Sequence, residues 1–329
     1  MSNHIVVSSR GTRIFRFTVI FSLALSAFVL CVDLLALKLS GGDFLFAGNA
    51  KFVLCLTGVI LACSLFQFHR LSGSGSRVAE AMGATRVGMQ PRKHALKTYR
   101  NIATEAALAA GIQVPALYVL KNDRSINAFA AGDARKGMAV CVTRGALDQL
   151  TRDELQGVVA HEVAHLRHGD VAISRLFAAS IFGLFCFAAV GGLIAWMAGR
   201  AAGSASKEGV GAATVLVIGG LVILLVGAVG WLVASMLDAA TSREMEYRAD
   251  ADAVRMMSNS DGLVGALIKI GQESRTFPDS ARGWMDACNP MFFGNGVKRY
   301  WFDTHPPVLD RIRALDPAKA AELRYAMGE

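Results

Sequence analysis

The sequence predicts a mainly α-helical fold, with four transmembrane helices and a cytoplasmic domain of helices around a small β-sheet. Three observations predict it. Hydrophobic residues make up 53% of the chain and charged residues 18%, with mean hydropathy +0.40, more apolar than an ordinary soluble domain needs. Four apolar stretches reach or approach the roughly 20 residues that a membrane-spanning helix requires. Lys and Arg gather on alternate flanks of those stretches.

The predicted spans are 17–37, 52–68, 176–198 and 212–237. The first follows a basic tail but is longer than the apolar region of a signal peptide, and a second run follows closely, so it reads as retained. Asp33, near its end, reads as an interfacial carboxylate that reaches the headgroups. A buried core helix is the alternative for all four runs. It is weakest for the last two, which are long and nearly free of charge.

Orientation follows the basic flanks. Arg10, Arg13 and Arg16 precede the first span. Arg70, Arg77, Arg86, Arg92, Lys93, Lys97 and Arg100 follow the second, and Arg243, Arg248 and Arg255 follow the fourth. The two hairpin loops carry little more than Lys38, Lys51, Arg200 and Lys207. The expected organisation is a cytoplasmic tail at 1–16, a hairpin at 17–68, a cytoplasmic catalytic segment at 69–170, a second hairpin at 171–237 and a further cytoplasmic catalytic segment at 238–329. The two catalytic segments are expected to form one domain, and Ser72–Ser76 (SGSGS) reads as a flexible linker.

The net charge of +8 raises the question of nucleic acid. The basic residues flank apolar runs rather than forming aromatic-interleaved patches, so the expected partner is the lipid bilayer, with no nucleic acid. Cys31, Cys55, Cys63 and Cys186 lie inside apolar runs and Cys141 and Cys288 stand alone, with no CxxC spacing. They read as small hydrophobes, consistent with a reducing compartment.

The chemistry-bearing segment is Thr151–Asp170. Thr151 and Glu154 form a capping box, Leu155, Val158, Val159 and Leu166 recur at helical spacing, and Gly169 is a plausible stop. On such a helix His161 and His165 lie about one turn apart on one face, so both imidazoles can reach one zinc ion. Glu162 beside them is placed to take a proton from a water activated by the metal and deliver it to a leaving amine.

A catalytic zinc needs a third protein ligand. Glu246, in Ser242–Ala253 beyond the last span, is the first candidate. Asp250, four residues on, shares its face and can accept a hydrogen bond from the other nitrogen of His161. Glu244 points about 160° away from Glu246. His168 lies nearly on the face of His161, but three ligands from one straight helix do not readily surround a tetrahedral ion, so it reads as supporting or solvated. The role of Asp170 is left open.

HEVAHLRHGD at 161–170, SREMEYRAD at 242–250 and THPPVLDRI at 304–312 together resemble the HtpX family of membrane zinc metalloproteases, related to the CAAX prenyl proteases. The resemblance spans about Asn127 to Leu315 and implies a gluzincin-like catalytic domain with one zinc per chain and Glu246 as third ligand. It further implies that His305 helps stabilise the tetrahedral oxyanion and that Arg311 steadies the same region. Residues 124–132 and 137–143 read as two strands. The resemblance places an edge strand at Asn127, Ala128 and Phe129, where an extended peptide adds by backbone hydrogen bonds.

The function implied is endoproteolysis of unfolded or membrane proteins at the cytoplasmic face of a bacterial inner membrane, as protein quality control. The alternatives are a prenyl-protein or other site-specific processing protease, and a scaffold with a degenerate zinc site. The charges flanking the histidine helix argue against a site within the bilayer. The aromatic stretch 276–302 suits either a lid or surface packing.

Overall fold

The structure is a computed structural model that describes residues 46–203, 207–276 and 305–327. The predicted first span with Asp33, the amino-terminal tail, and residues 277–304, which hold nearly all of the aromatic stretch and Thr304, lie outside the described residues.

In chain order the elements are α1 (Phe46–Leu71), α2 (Gly75–Ala81), β1 (Thr85–Arg86), α3 (His94–Ala110), β2 (Ala116–Leu120), β3 (Ala128–Asp133), β4 (Gly137–Thr143), α4 (Arg144–Gln149), α5 (Arg152–His168), α6 (Asp170–Ala202), α7 (Lys207–Met257), α8 (Asp261–Thr276), α9 (Val308–Leu315) and α10 (Pro317–Met327). The chain divides into two compact units. One contains the described stretch of α1 to Arg70 and Leu176–Ser235, and the other contains Leu71–Arg175 and the chain from Met236 onward.

Asp170–Ala202 and Gly209–Met257, whose apolar parts make up most of the first unit, are the two helices, among the described residues, long and apolar enough to cross a membrane. The predicted runs 176–198 and 212–237 lie within them, and 52–68 lies within α1. Helix α6 approaches α1 and α7 through small residues. A Cβ on Gly191 would stand 2.7 Å from Ile223 Cγ2, one on Gly220 2.6 Å from the Ala195 nitrogen, and one on Gly227 2.7 Å from the Ala188 backbone. Such close backbone approach is how helices associate where water supplies no drive. Phe185, Trp196, Leu216 and Leu225 stay exposed.

The second unit is built on a four-stranded mixed sheet of order β1-β2-β4-β3. Strand β2 runs parallel to β4, while β1–β2 and β3–β4 are antiparallel, with Ala128 opposite Val142 and Asp133 opposite Gly137. Side chains alternate across it with the period of two that a strand imposes. Leu117, Val119, Ala128, Ala130, Val140 and Val142 face a core completed by Tyr99 and Ile102 of α3, Val158, Val159 and Val163 of α5, and Leu263 and Leu267 of α8. Tyr118, Leu120, Phe129, Ala131, Ala139 and Cys141 turn to the other face, against Ala79 of α2. Burying each large apolar side chain contributes about 1.5–3 kcal/mol.

Three local expectations change. The SGSGS stretch is only partly a linker: Ser74 Oγ accepts from the Arg77 amide at 3.3 Å and caps α2, so Gly75 and Ser76 are helical. The first expected strand begins at Ala128 rather than Arg124. Asp123 Oδ1 accepts from the Ser125 amide at 2.9 Å and Glu273 Oε2 from the Ile126 amide at 2.6 Å, which holds that segment in a turn. Strands β1 and β2 join the two expected ones and make the sheet four-stranded.

Candidate metal centre

Helix α5 starts where its sequence says it should. Thr151 Oγ1 accepts from the Glu154 amide at 3.3 Å, and Glu154 Oε2 accepts from the Thr151 amide at 2.7 Å. Asp153 and Glu154 also favour the positive end of the helix dipole. At the other end Gly169 adopts φ 69°, the left-handed conformation that suits glycine, and closes the helix. Lys269 of α8 donates to Glu154 Oε2 at 2.6 Å and to the Gln149 carbonyl at 2.9 Å, fastening the start of α5 to its neighbour.

One turn of α5 brings His161 and His165 together, with their Nε2 atoms 3.0 Å apart. The last apolar run continues without a break as α7 into the stretch bearing Glu246 and Asp250. Glu246 is 4% exposed, and its oxygens lie 3.4 Å from His161 Nε2 and 3.5 Å from His165 Nε2. Glu244 is exposed. His161, His165 and Glu246 form a group that could hold a metal ion, their ligand atoms lying within 4.8 Å of one another.

A carboxylate stands behind each histidine. Asp250 Oδ1 lies 2.8 Å from His161 Nδ1, and Asp170 Oδ2 lies 2.9 Å from His165 Nδ1. A carboxylate can only accept, so each ring donates from Nδ1, and Nε2 is the nitrogen each ring can offer to a metal. Two Nε2 atoms 3.0 Å apart, beside a buried Glu246 carboxylate, are arranged for a shared cation. Glu162, Glu246, Asp170 and Asp250 converge here with the guanidinium groups of Arg248 and Arg311. Carboxylates outnumber guanidinium groups there, a balance that suits a cation. The donor set of two imidazoles and a carboxylate is one that zinc accepts.

Arg311 is buried, with 1% exposure. Its Nε and Nη2 donate to the two oxygens of Asp250 at 2.8 and 2.7 Å, and Nη1 approaches Glu246 Oε2 at 3.2 Å. His305 is buried, with Nδ1 2.8 Å from Glu246 Oε1. Glu162 is buried on α5. Burial, with the nearby charge of Glu246, pushes its carboxyl above the usual range against the pull of His161, His165 and His305. For His165 burial opposes the charged ring, but Asp170 and Glu246 outweigh it and hold its pKa well above the ordinary value.

His168 turns away from the trio. Its Nε2 lies 2.8 Å from Asp252 Oδ2. Asp170, whose role the sequence leaves open, and Arg248, read there only as a basic flank of the last span, join the site instead, Arg248 Nη2 donating to Asp170 Oδ1 at 2.5 Å. An acidic residue in the first turn of α6, five positions after a candidate ligand, is the signal that points to Asp170.

Strand β3 is the edge of the sheet and packs against α5. The Thr143 amide donates to the Asn127 carbonyl at 3.0 Å, so by alternation Asn127 and Phe129 turn their backbone groups toward β4, and Ala128 and Ala130 turn theirs away. The Ala128 amide is taken by Asn127 Oδ1 at 2.9 Å. The Phe129 side chain is buried on the α2 face.

The family model described as Peptidase family M48 matches residues 95–319, a span that includes the whole metal centre. The Protease HtpX homolog of Streptococcus uberis is 33% identical over 220 residues, covering 65% of this chain and 71% of that protein. The Protease HtpX homolog of Ligilactobacillus salivarius is 32% identical over 299 residues, covering 89% of this chain and 95% of that protein. The crystal structure of S. mikatae Ste24p aligns with a TM-score of 0.45 at 16% identity, covering 92% of this chain and 66% of that one. The extent of the family match, and a relative matched over nearly its full length, show that this chain belongs to peptidase family M48 and is a metalloprotease.

Proposed function

We propose that the chain is a membrane-anchored zinc endopeptidase that hydrolyses peptide bonds of unfolded or membrane proteins at the cytoplasmic face. The observation that carries the reading is the gathering of the two imidazole Nε2 atoms and a Glu246 carboxylate oxygen within 4.8 Å of one another. His161, His165 and Glu246 hold one zinc ion. When bound, zinc supplies a Lewis acid that polarises the scissile carbonyl and acidifies water. Glu162, whose raised pKa suits a general base, removes a proton from the attacking water and delivers it to the leaving amine. His305 donates to the developing oxyanion. Asp250, clamped by Arg311, keeps the ring of His161 in register.

Substrate binds extended along β3. The outward carbonyl of Ala128 and the outward amide and carbonyl of Ala130 offer the pairing groups, so recognition reads backbone more than side chains. This suits chains that have lost their fold. Four spans at 17–37, 52–68, 176–198 and 212–237 anchor the protein. The basic flanks support a topology with 1–16, 69–170 and 238–329 in the cytoplasm. Exposed apolar side chains along α6 and α7 support contact with lipid.

Glu162→Gln tests the reading. Purified in detergent, the variant retains zinc and loses cleavage of an unfolded test protein by at least about a hundredfold, as expected for loss of a general base. Cleavage at the parent rate sinks the mechanism.

A further inference from the structure

The second ligand histidine has an orienting carboxylate drawn from a different region of the chain than the first. Asp250 and Arg311 stand behind His161. Asp170, 3% exposed, stands behind His165 and uses its two oxygens for different partners: Oδ2 lies 2.9 Å from His165 Nδ1, and Oδ1 accepts from Arg248 Nη2. Arg248 lies on α7, two residues beyond Glu246. His168, the other ring near Asp170, stays 3.9 Å from Oδ2 and gives its Nε2 to Asp252, so it does not compete for that oxygen.

We propose that Asp170, anchored by Arg248, is a positioning residue that aims Nε2 of His165 at the metal. A carboxylate at Nδ1 fixes the tautomer, stops ring rotation and raises the basicity of the opposite nitrogen. Arg248 fixes the carboxylate in turn, because a guanidinium on one oxygen leaves the other aimed at the imidazole. One short stretch of α7 thereby supplies the third ligand, the support for the first ligand and the anchor for the support of the second. The inference rests on reading His165 as a metal ligand.

The test measures zinc affinity of the full chain in detergent micelles by competition with a chromophoric chelator, alongside the visible spectrum of the cobalt(II)-loaded protein and a thermal melt. Asp170→Asn is expected to bind zinc about 10–100-fold more weakly and to shift the cobalt spectrum, with Arg248→Gln losing less in the same direction and Arg248→Lys recovering most of that loss. Asp170→Asn within twofold of the parent, while His165→Ala loses zinc, overturns the inference and leaves the metal centre standing, even if the melting temperature falls. Undiminished zinc in His165→Ala overturns the metal reading itself. Should Asp170→Asn not accumulate, the Arg248 pair decides: affinity equal to the parent in both variants overturns the inference.

Discussion

Arg311 grips Asp250 through two parallel hydrogen bonds of 2.8 and 2.7 Å, with neither side chain more than 2% exposed. A guanidinium enclosed so completely is stable only because Asp250 and Glu246 face it, and the carboxylates in turn depend on it. Breaking such a buried pair costs about 3–5 kcal/mol, since the remaining charge is left without a partner. Arg311→Met should therefore destabilise the metal-free protein by about 3 kcal/mol in a denaturant titration. The loss should shrink when zinc is bound, because the ion supplies positive charge to the same carboxylates. Equal losses with and without zinc would show that Arg311 acts through packing alone. Arg311→Lys should fall between, since an ammonium cannot form the parallel pair.

Zinc itself should stabilise the fold. A ligand at a hundred times its dissociation constant adds about 2.7 kcal/mol to the state that binds it, so chelation should lower the melting temperature and zinc should restore it. Glu246→Ala should abolish this shift and Glu244→Ala should keep it, because the first carboxylate is buried against both imidazoles and the second is exposed. A normal zinc-dependent shift in Glu246→Ala would rule it out as a ligand.

What sequence makes legible in this site is what helical periodicity places. His161 with His165, and Glu246 with Asp250, are each four residues apart on one helix, so a single turn predicts that they share a face. The capping box at Thr151 and the stop at Gly169 are local in the same way. The Asp170–Arg248 contact is not local: 78 positions separate the partners, and neither shows in its own helix what it will meet. Strand β2 also escapes notice, since a five-residue apolar run such as Ala116–Leu120 has no periodicity that separates strand from helix. Strand β1 has two residues and exists because β2 pairs with it.

The contact between α5 and α8 is set by glycine. A Cβ on Gly157, one turn before His161, would lie 2.7 Å from the Leu263 nitrogen and Cα. Backbone atoms there cannot rotate aside, so Gly157→Ala forces the helices apart. Overpacking of this kind costs about 1–3 kcal/mol, against a gain of about 1 kcal/mol in helix propensity. The net effect should be a lower melting temperature and weaker zinc retention. Among the described residues, a Cβ on Gly271 of α8 meets Val308 alone, at 3.5 Å from Cγ1 and 4.0 Å from Cβ, ordinary contacts, so Gly271→Ala should be neutral or stabilising. If the two variants behave alike, the tight approach is not what governs the packing.

The start of α5 should lose support in acid. Burial works against the Glu154 carboxylate, but the ammonium of Lys269 and the hydrogen bonds to Thr151 outweigh it, so its pKa lies below the ordinary value. A group with a depressed folded pKa contributes its stability above the unfolded value, about 4.3 for Glu, and loses it as pH falls through the folded one. Glu154→Gln should thus cost about 1 kcal/mol near pH 6, the usual worth of a cap and a charged hydrogen bond. The gap between parent and variant should close as pH falls below about 4.3. Because Lys269 is 35% exposed, added salt should narrow the gap at pH 6 as well. Melting curves of both proteins across pH 3–6 provide the check, and a gap that stays constant over that range would mean that the ionised carboxylate contributes nothing to holding α5 in place.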